Sequence, residues 1–283
     1  MSATREVVER HAAPLGPALR RMFAQLAIWL GLLLRPPFPE SAALRSGRRW
    51  LSCLVVGALM ILAIGASMWL LDGWAIARQR QLPAWVIQTF ARVTEFGKSG
   101  WFLWPIAILV IALAAFTARD VGRRANLVIT SLVVRLEFLF FAIGIPALIV
   151  TIVKRLIGRV RPSDLGPFQY VPFSWRPDYA SMPSGHSTAA FAAAFAIGAV
   201  WPRARLPMWT YALVIAISRV AVHAHFPSDV IAGAFVGILG AVLVRDWFAA
   251  RRLAFVPTQT GVASLPGPSA QRLKRLAGRM IGR

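Results

Sequence analysis

Three short stretches carry side chains suited to phosphate chemistry: Lys154 with Arg161-Pro162, Pro183-Ser184-Gly185-His186, and Ser218-Arg219 followed by His225 and Asp229. All border apolar stretches. Cations, imidazoles and a carboxylate are costly beside hydrocarbon, so their recurrence at such edges points to a phosphate-handling site rather than to packing.

Each stretch has a distinct chemical use. Lys154 and Arg161 are seven residues apart, and Pro162 stops a helix from continuing, so the two cations can converge. An arginine fork grips phosphoryl oxygens in pairs, while a lysine supplies a point charge. A positively charged flank to a membrane span would show the same spacing. Pro183 to His186 opens an apolar run, and free N–H groups at a helix start favour an anion. Ser184 adds a hydroxyl, Gly185 permits close backbone approach, and His186 can carry a proton near neutrality. A plain helix cap would also use these residues.

The third stretch is more specific. Arg219 lies in an apolar run and needs an anion. His225 precedes Pro227, a residue suited to the first helical position, and Asp229 falls in that helix's first turn. Such a carboxylate can accept from one imidazole nitrogen and leave the other free as a nucleophile. His223 has no clustered His, Cys or carboxylate set to complete a metal site, so no metal is expected. Arg135 and Glu137 are two residues apart and cannot share a helical face, so they carry no functional assignment.

The elements that position these groups follow from composition. With 57% hydrophobic and 15% charged residues, 283 residues exceed what one soluble core needs. An integral membrane protein is expected. Apolar runs cover Trp50 to Leu71, Trp101 to Thr117, Leu127 to Val153, Met208 to His223 and Pro227 to Phe248. A shorter one, Ser187 to Trp201, extends back to Pro183. These predict an all-α, polytopic bundle of six transmembrane helices. The run from Met22 to Leu34 is too short to cross and is placed at the interface; Cys53, the single cysteine, excludes an intramolecular disulfide.

The formal charge of +21 raises nucleic acid as a partner, but position argues otherwise. Eight of the 32 Lys and Arg fall in residues 1 to 49 and eight in residues 245 to 283, flanking the apolar block as membrane anchors do. No nucleic acid is expected. Six spans place both basic ends inside, joined there by Arg119, Arg123, Arg124, Arg203 and Arg205, and turn all three stretches outward. Histidines 186 and 225 then sit at an exposed rim. The expected organisation is a basic N-terminal segment over 1–49, a six-span domain over 50–248 and a basic tail over 249–283. Within the tail, residues 256 to 271 read as a flexible linker. Residues 272 to 283 suit either an amphipathic helix on an anionic membrane or a solvated tail.

In order and spacing, the three stretches resemble the signature of the type 2 phosphatidic acid phosphatase (PAP2) superfamily, membrane lipid phosphatase branch: Lys, six residues, Arg-Pro; Pro-Ser-Gly-His; Ser-Arg, five residues, His, three residues, Asp. All eleven specified positions match. The resemblance implies that His225 attacks phosphorus and forms a phosphohistidine, that Asp229 orients it, and that His186 protonates the leaving group and later helps activate water. It also implies that Lys154, Arg161, Arg219, Ser184 and Gly185 bind the phosphoryl oxygens, with no metal or other cofactor.

The expected activity is hydrolysis of a phosphomonoester or pyrophosphate of a phospholipid or isoprenoid lipid, in a bacterial inner membrane. Phosphatidic acid, phosphatidylglycerophosphate, undecaprenyl pyrophosphate and lipid A phosphate all remain open as substrates. A phosphotransferase passing the group to a lipid or sugar hydroxyl is the first alternative, and a non-enzymatic binder of anionic lipid the second. Phe96 to Trp101, in the first outer loop, reads as an aromatic anchor or as a headgroup contact.

Overall fold

The computed structural model describes residues 16–39, 47–117, 122–162, 166–258 and 261–281. The helices are α1 (Pro17–Leu33), α2 (Gly47–Leu70), α3 (Asp72–Gln79), α4 (Ala84–Glu95), α5 (Gly100–Thr117), α6 (Arg123–Ile157), α7 (Gly185–Val200), α8 (Arg205–Ala221), α9 (Pro227–Ala250) and α10 (Ala270–Ile281), of which all but α3, α4 and α10 occupy the apolar runs. Arg5, Arg10, Arg45, Arg119 and Arg283, counted above among the inner cations, lie outside the described residues.

Among the described residues, three stretches are long and apolar enough to cross a membrane: Ala84–Thr117, Arg123–Ile157 and Pro227–Ala250. A fourth joins Leu54–Leu70 to Asp72–Gln79 through a 46° bend. The chain is therefore a helical membrane protein, but the count of six is not reached on length. Helices α7 and α8 have 16 and 17 residues. At a rise of about 1.5 Å per residue they fall several ångströms short of a hydrocarbon layer of about 30 Å.

Two expectations for the tail need correction. The fold is not purely helical, because β1 (Phe255–Thr258) and β2 (Gly261–Ser264) pair antiparallel, with Phe255 opposite Ser264. The supposed linker is thus partly ordered. Burial of Phe255 explains it: the ring meets Phe138 edge-on at a centroid distance of 4.6 Å. The basic tail forms α10, and its Leu276 packs with Trp29, Ile129 and Val133 rather than facing outward. The N-terminal run is also longer than its apolar part, starting at Pro17 and burying Trp29 and Leu33.

Helix α7 is central, packed against α6, α8 and α9. Its buried face is almost entirely alanine, from Ala189 to Ala196. Small residues matter here because lipid tails are as apolar as any side chain, so helices associate through close van der Waals packing. A Cβ on Gly233 of α9 would stand 2.4 Å from the carbonyl oxygen of Ser184, and one on Gly237 would stand 2.3 Å from that of Thr188. The two backbones touch, which fixes the start of α7 beside the start of α9.

Candidate active site

The C-terminal ends of α6 and α8 and the N-terminal ends of α7 and α9 meet at one end of the bundle. Helix α6 stops at Gly158, whose positive φ of 65° suits glycine, and a Cβ there would collide with the Val171 carbonyl. The chain then runs extended between two loop segments. Val160 N–H donates to Gln169, Arg161 N–H to the carbonyl of Asp178, and Ser181 N–H to that of Arg159. These bonds carry Arg159, Arg161 and Ser181 toward the helix ends.

All eight residues singled out from the sequence reach this place. Asp229, in the first turn of α9, accepts from the Phe226 N–H at 2.9 Å, and its carbonyl accepts from Ser184 N–H at 3.0 Å. Ser184 caps α7 without a side-chain bond, and a Cβ on Gly185 would meet open space. The carbonyl of Arg219 accepts the N–H of His225 at 3.2 Å. Arg161 donates to the carbonyls of Pro177 and Ala224 at 3.1 and 3.2 Å. Lys154 lies within electrostatic reach of Arg161 and Arg219, and His186 within reach of Arg219, His225 and Lys154.

The imidazole geometry differs from expectation in two respects. His225 is not at an exposed rim; it is 3% exposed, enclosed by the turn between α8 and α9. Its Nδ1 stands 3.7 Å from Oδ2 of Asp229, an electrostatic contact longer than a hydrogen bond. Burial holds the His225 pKa below its ordinary value, prevailing over the charge of Asp229, which acts in the opposite sense. The ring is therefore neutral near neutral pH.

Several groups escaped sequence reasoning. Ser181 donates to Oδ2 of Asp229 at 2.5 Å, and its oxygen lies 3.5 Å from Nδ1 of His225. Arg159 is fully buried and binds Oδ1 of Asp229 at 2.6 Å and Oδ2 of Asp72 at 2.7 Å. Thr94, at the end of α4, accepts from Arg219 at 2.8 Å. The Nε of Arg219 is buried without a partner among the described residues.

The stretch after Thr94 is part of the same wall. A Cβ on Gly97 would stand 2.7 Å from Cγ2 of Ile215 and 3.0 Å from Cδ2 of His186. The Phe96 carbonyl accepts from the Tyr211 hydroxyl at 2.8 Å, and the Glu95 carbonyl from the Trp101 indole at 2.9 Å. The Tyr211 bond ties the stretch to α8, and the Trp101 bond closes the stretch on itself.

Among the described residues, no three His, Cys, Asp or Glu side chains cluster so as to hold a metal ion. Arg135 and Glu137 lie elsewhere and do not pair. Arg135 donates to Ser131 and to the Leu265 carbonyl, tying α6 to the tail.

Comparison with known proteins agrees with the motif reading. The PAP2 superfamily profile matches residues 136–253. The chain is 35% identical over 236 residues to a protein of Rhizobium johnstonii named lipid A 1-phosphatase, covering 81% of this chain and 91% of the relative. It is 37% identical over 193 residues to a lipid A 1-phosphatase of Rhizobium etli, covering 65% of this chain and 79% of that protein. Among solved structures, Aquifex aeolicus LpxE aligns with a TM-score of 0.43 and 21% identity, over 59% of this chain and 88% of its own.

Proposed function

We propose that this chain, which belongs to the PAP2 superfamily and is a membrane lipid phosphatase of that family, removes a phosphate from a lipid A-type glycolipid through a phosphohistidine on His225. The observation that carries the mechanism is the placement of a buried, neutral imidazole, Nδ1 toward Asp229, beside the cations Arg161 and Arg219. The lipid A assignment rests on the names of relatives that align along most of their length.

In this reading Nε2 of His225 attacks phosphorus, and the imidazole gains positive charge as the P–O bond to the lipid breaks. Asp229 and Ser181 hold Nδ1 and stabilise that charge. His186 gives its proton to the departing oxygen and then takes one from the water that attacks the phosphohistidine. Lys154, Arg161 and Arg219, with the Ser184 hydroxyl and the open amides at the start of α7, hold the phosphoryl oxygens. Phosphate leaves and His225 returns to its neutral form.

Completion of the bundle by α7 and α8 as short fourth and fifth spans suits a six-span domain over 50–248, between basic segments at 1–49 and 249–283. The excess of Lys and Arg at both ends supports an inner-membrane orientation with termini inside and the site on the outer face. Phosphate release from lipid A 1-phosphate, phosphatidic acid, phosphatidylglycerophosphate and undecaprenyl pyrophosphate, measured on detergent-purified protein in EDTA, tests the assignment. Preference for lipid A with loss of release in His225→Ala is expected. Equal release by folded His225→Ala would overturn the mechanism, and preference for another lipid the substrate.

A further inference from the structure

We propose that Asp72 and Arg159 are positioning residues of the phosphatase reaction, forming with Asp229 a buried three-charge relay that balances the positive charge arising on His225. The proposal rests on the reading of His225 as nucleophile.

Arg159 cannot be one of the phosphate-holding arginines. Each of its five N–H bonds already has an acceptor: Nε and one Nη2 hydrogen go to the Pro167 carbonyl at 3.1 and 2.9 Å, and the other Nη2 hydrogen goes to Asp72 at 2.7 Å. The two on Nη1 go to Ser228 Oγ at 2.7 Å and Asp229 at 2.6 Å. The guanidinium also lies over the Phe226 ring, 4.3 Å from its centroid. Arg159, Asp72 and Asp229 are each completely buried.

Charge counting gives the relay its purpose. One guanidinium faces two carboxylates, so the cluster carries a net charge of −1 in a medium where uncompensated charge is strongly disfavoured. The deficit lies next to Nδ1 of His225, where attack on phosphorus creates a cation. With the Asp72 carboxylate in place, Arg159 is shared between two acceptors, and Asp229 keeps part of its charge for the imidazole. Without that carboxylate, Arg159 would neutralise Asp229 and leave the cation without a counter-charge.

Asp72 is also built in. It accepts from the Ser228 N–H at 3.1 Å and from the Ser228 hydroxyl at 2.5 Å, in the first turn of α9. It begins α3, just beyond the 46° bend in the first apolar stretch. The bend thus delivers a carboxylate to the underside of the site. The other charged or titratable groups facing His225 are Arg161, Arg219 and His186, and Tyr170 stands near Arg159.

The test compares Asp72→Asn, Asp72→Glu, Arg159→Lys and His225→Ala with wild type, in full-length protein acting on the lipid that wild type hydrolyses best. Asp72→Asn should lower kcat about 100-fold at unchanged KM and move the acid limb of kcat/KM to lower pH, because His225 loses a stabilising negative charge. Asp72→Glu should restore the limb and most of kcat, and Arg159→Lys should lower kcat at unchanged KM. Wild-type kcat in folded Asp72→Asn, or a loss with an unmoved acid limb, would overturn the relay. If Asp72→Asn does not fold, Ser228→Ala serves, with kcat expected to fall about 10-fold; a wild-type rate there overturns the proposal. Full activity in His225→Ala would instead mark failure of the underlying mechanism.

Discussion

Ser181 and Asp229 are joined by a 2.5 Å hydrogen bond, and the same serine oxygen lies 3.5 Å from Nδ1 of His225. The serine thus stands between carboxylate and imidazole where a direct hydrogen bond is absent. It fixes the carboxylate oxygen that faces the ring. Ser181→Ala should lower kcat about 10- to 100-fold, the worth of one hydrogen bond to a charged acceptor. KM should change little, since the Ser181 hydroxyl is buried and bonds to Asp229. Steady-state kinetics on folded protein checks this.

Thr94 orients Arg219. Its hydroxyl accepts from one guanidinium nitrogen at 2.8 Å, and Nε is left for another acceptor. Thr94→Val keeps the shape and removes the acceptor. It should weaken kcat/KM about 10-fold, because a charged donor loses a buried partner. Comparing phosphate release across substrate concentrations measures the change.

Gly97→Ala is the smallest substitution expected to disturb the site. The added methyl would stand 3.0 Å from the His186 ring and 2.7 Å from Ile215, so the ring or the stretch must shift. A displaced acid loses alignment with the departing oxygen, and kcat should fall up to about 100-fold. A wild-type rate would show that the wall gives way without moving His186.

Burial of His225 sets the pH response. Its folded-state pKa lies below the ordinary value of about 6.5, so the unfolded chain takes up a proton first as pH falls. The stability due to this group is full above about pH 6.5 and is lost as pH drops toward the folded value. The acid limb of kcat/KM should likewise lie below pH 6.5. A limb at or above that value would contradict a neutral buried ring, and a pH profile paired with thermal melting reads both effects.

The contrast between residues that were legible and those that were not has a physical cause. His225 and Asp229 lie in one turn, and Lys154, Arg161 and Arg219 sit at edges of apolar runs where charge is conspicuous. Ser181, Thr94 and Arg159 act through contacts between distant segments, which spacing does not encode. Asp72 was the accessible exception: only 11 Asp and Glu occur in the chain, and this one ends the first apolar run. The tail was misread because residues 256 to 271 look like linker by composition, whereas burial of Phe255 against Phe138 orders the strand pair.

Helix count shows the same limit from the other direction. The apolar runs located six helices correctly, yet α7 and α8 are shorter than a hydrocarbon layer requires by itself. Their ends are set by the site: α7 begins where Ser184 bonds to Asp229, and α8 ends where the Arg219 carbonyl receives His225.

The central claim is that His225 carries the phosphoryl group. Rapid acid-free quenching of the purified enzyme with lipid bearing a radiolabelled phosphate, followed by peptide mapping, tests it most directly. The account predicts an acid-labile, base-stable label on the peptide containing His225, absent in His225→Ala. A label on another residue, or phosphate release by folded His225→Ala at the wild-type rate, would contradict it.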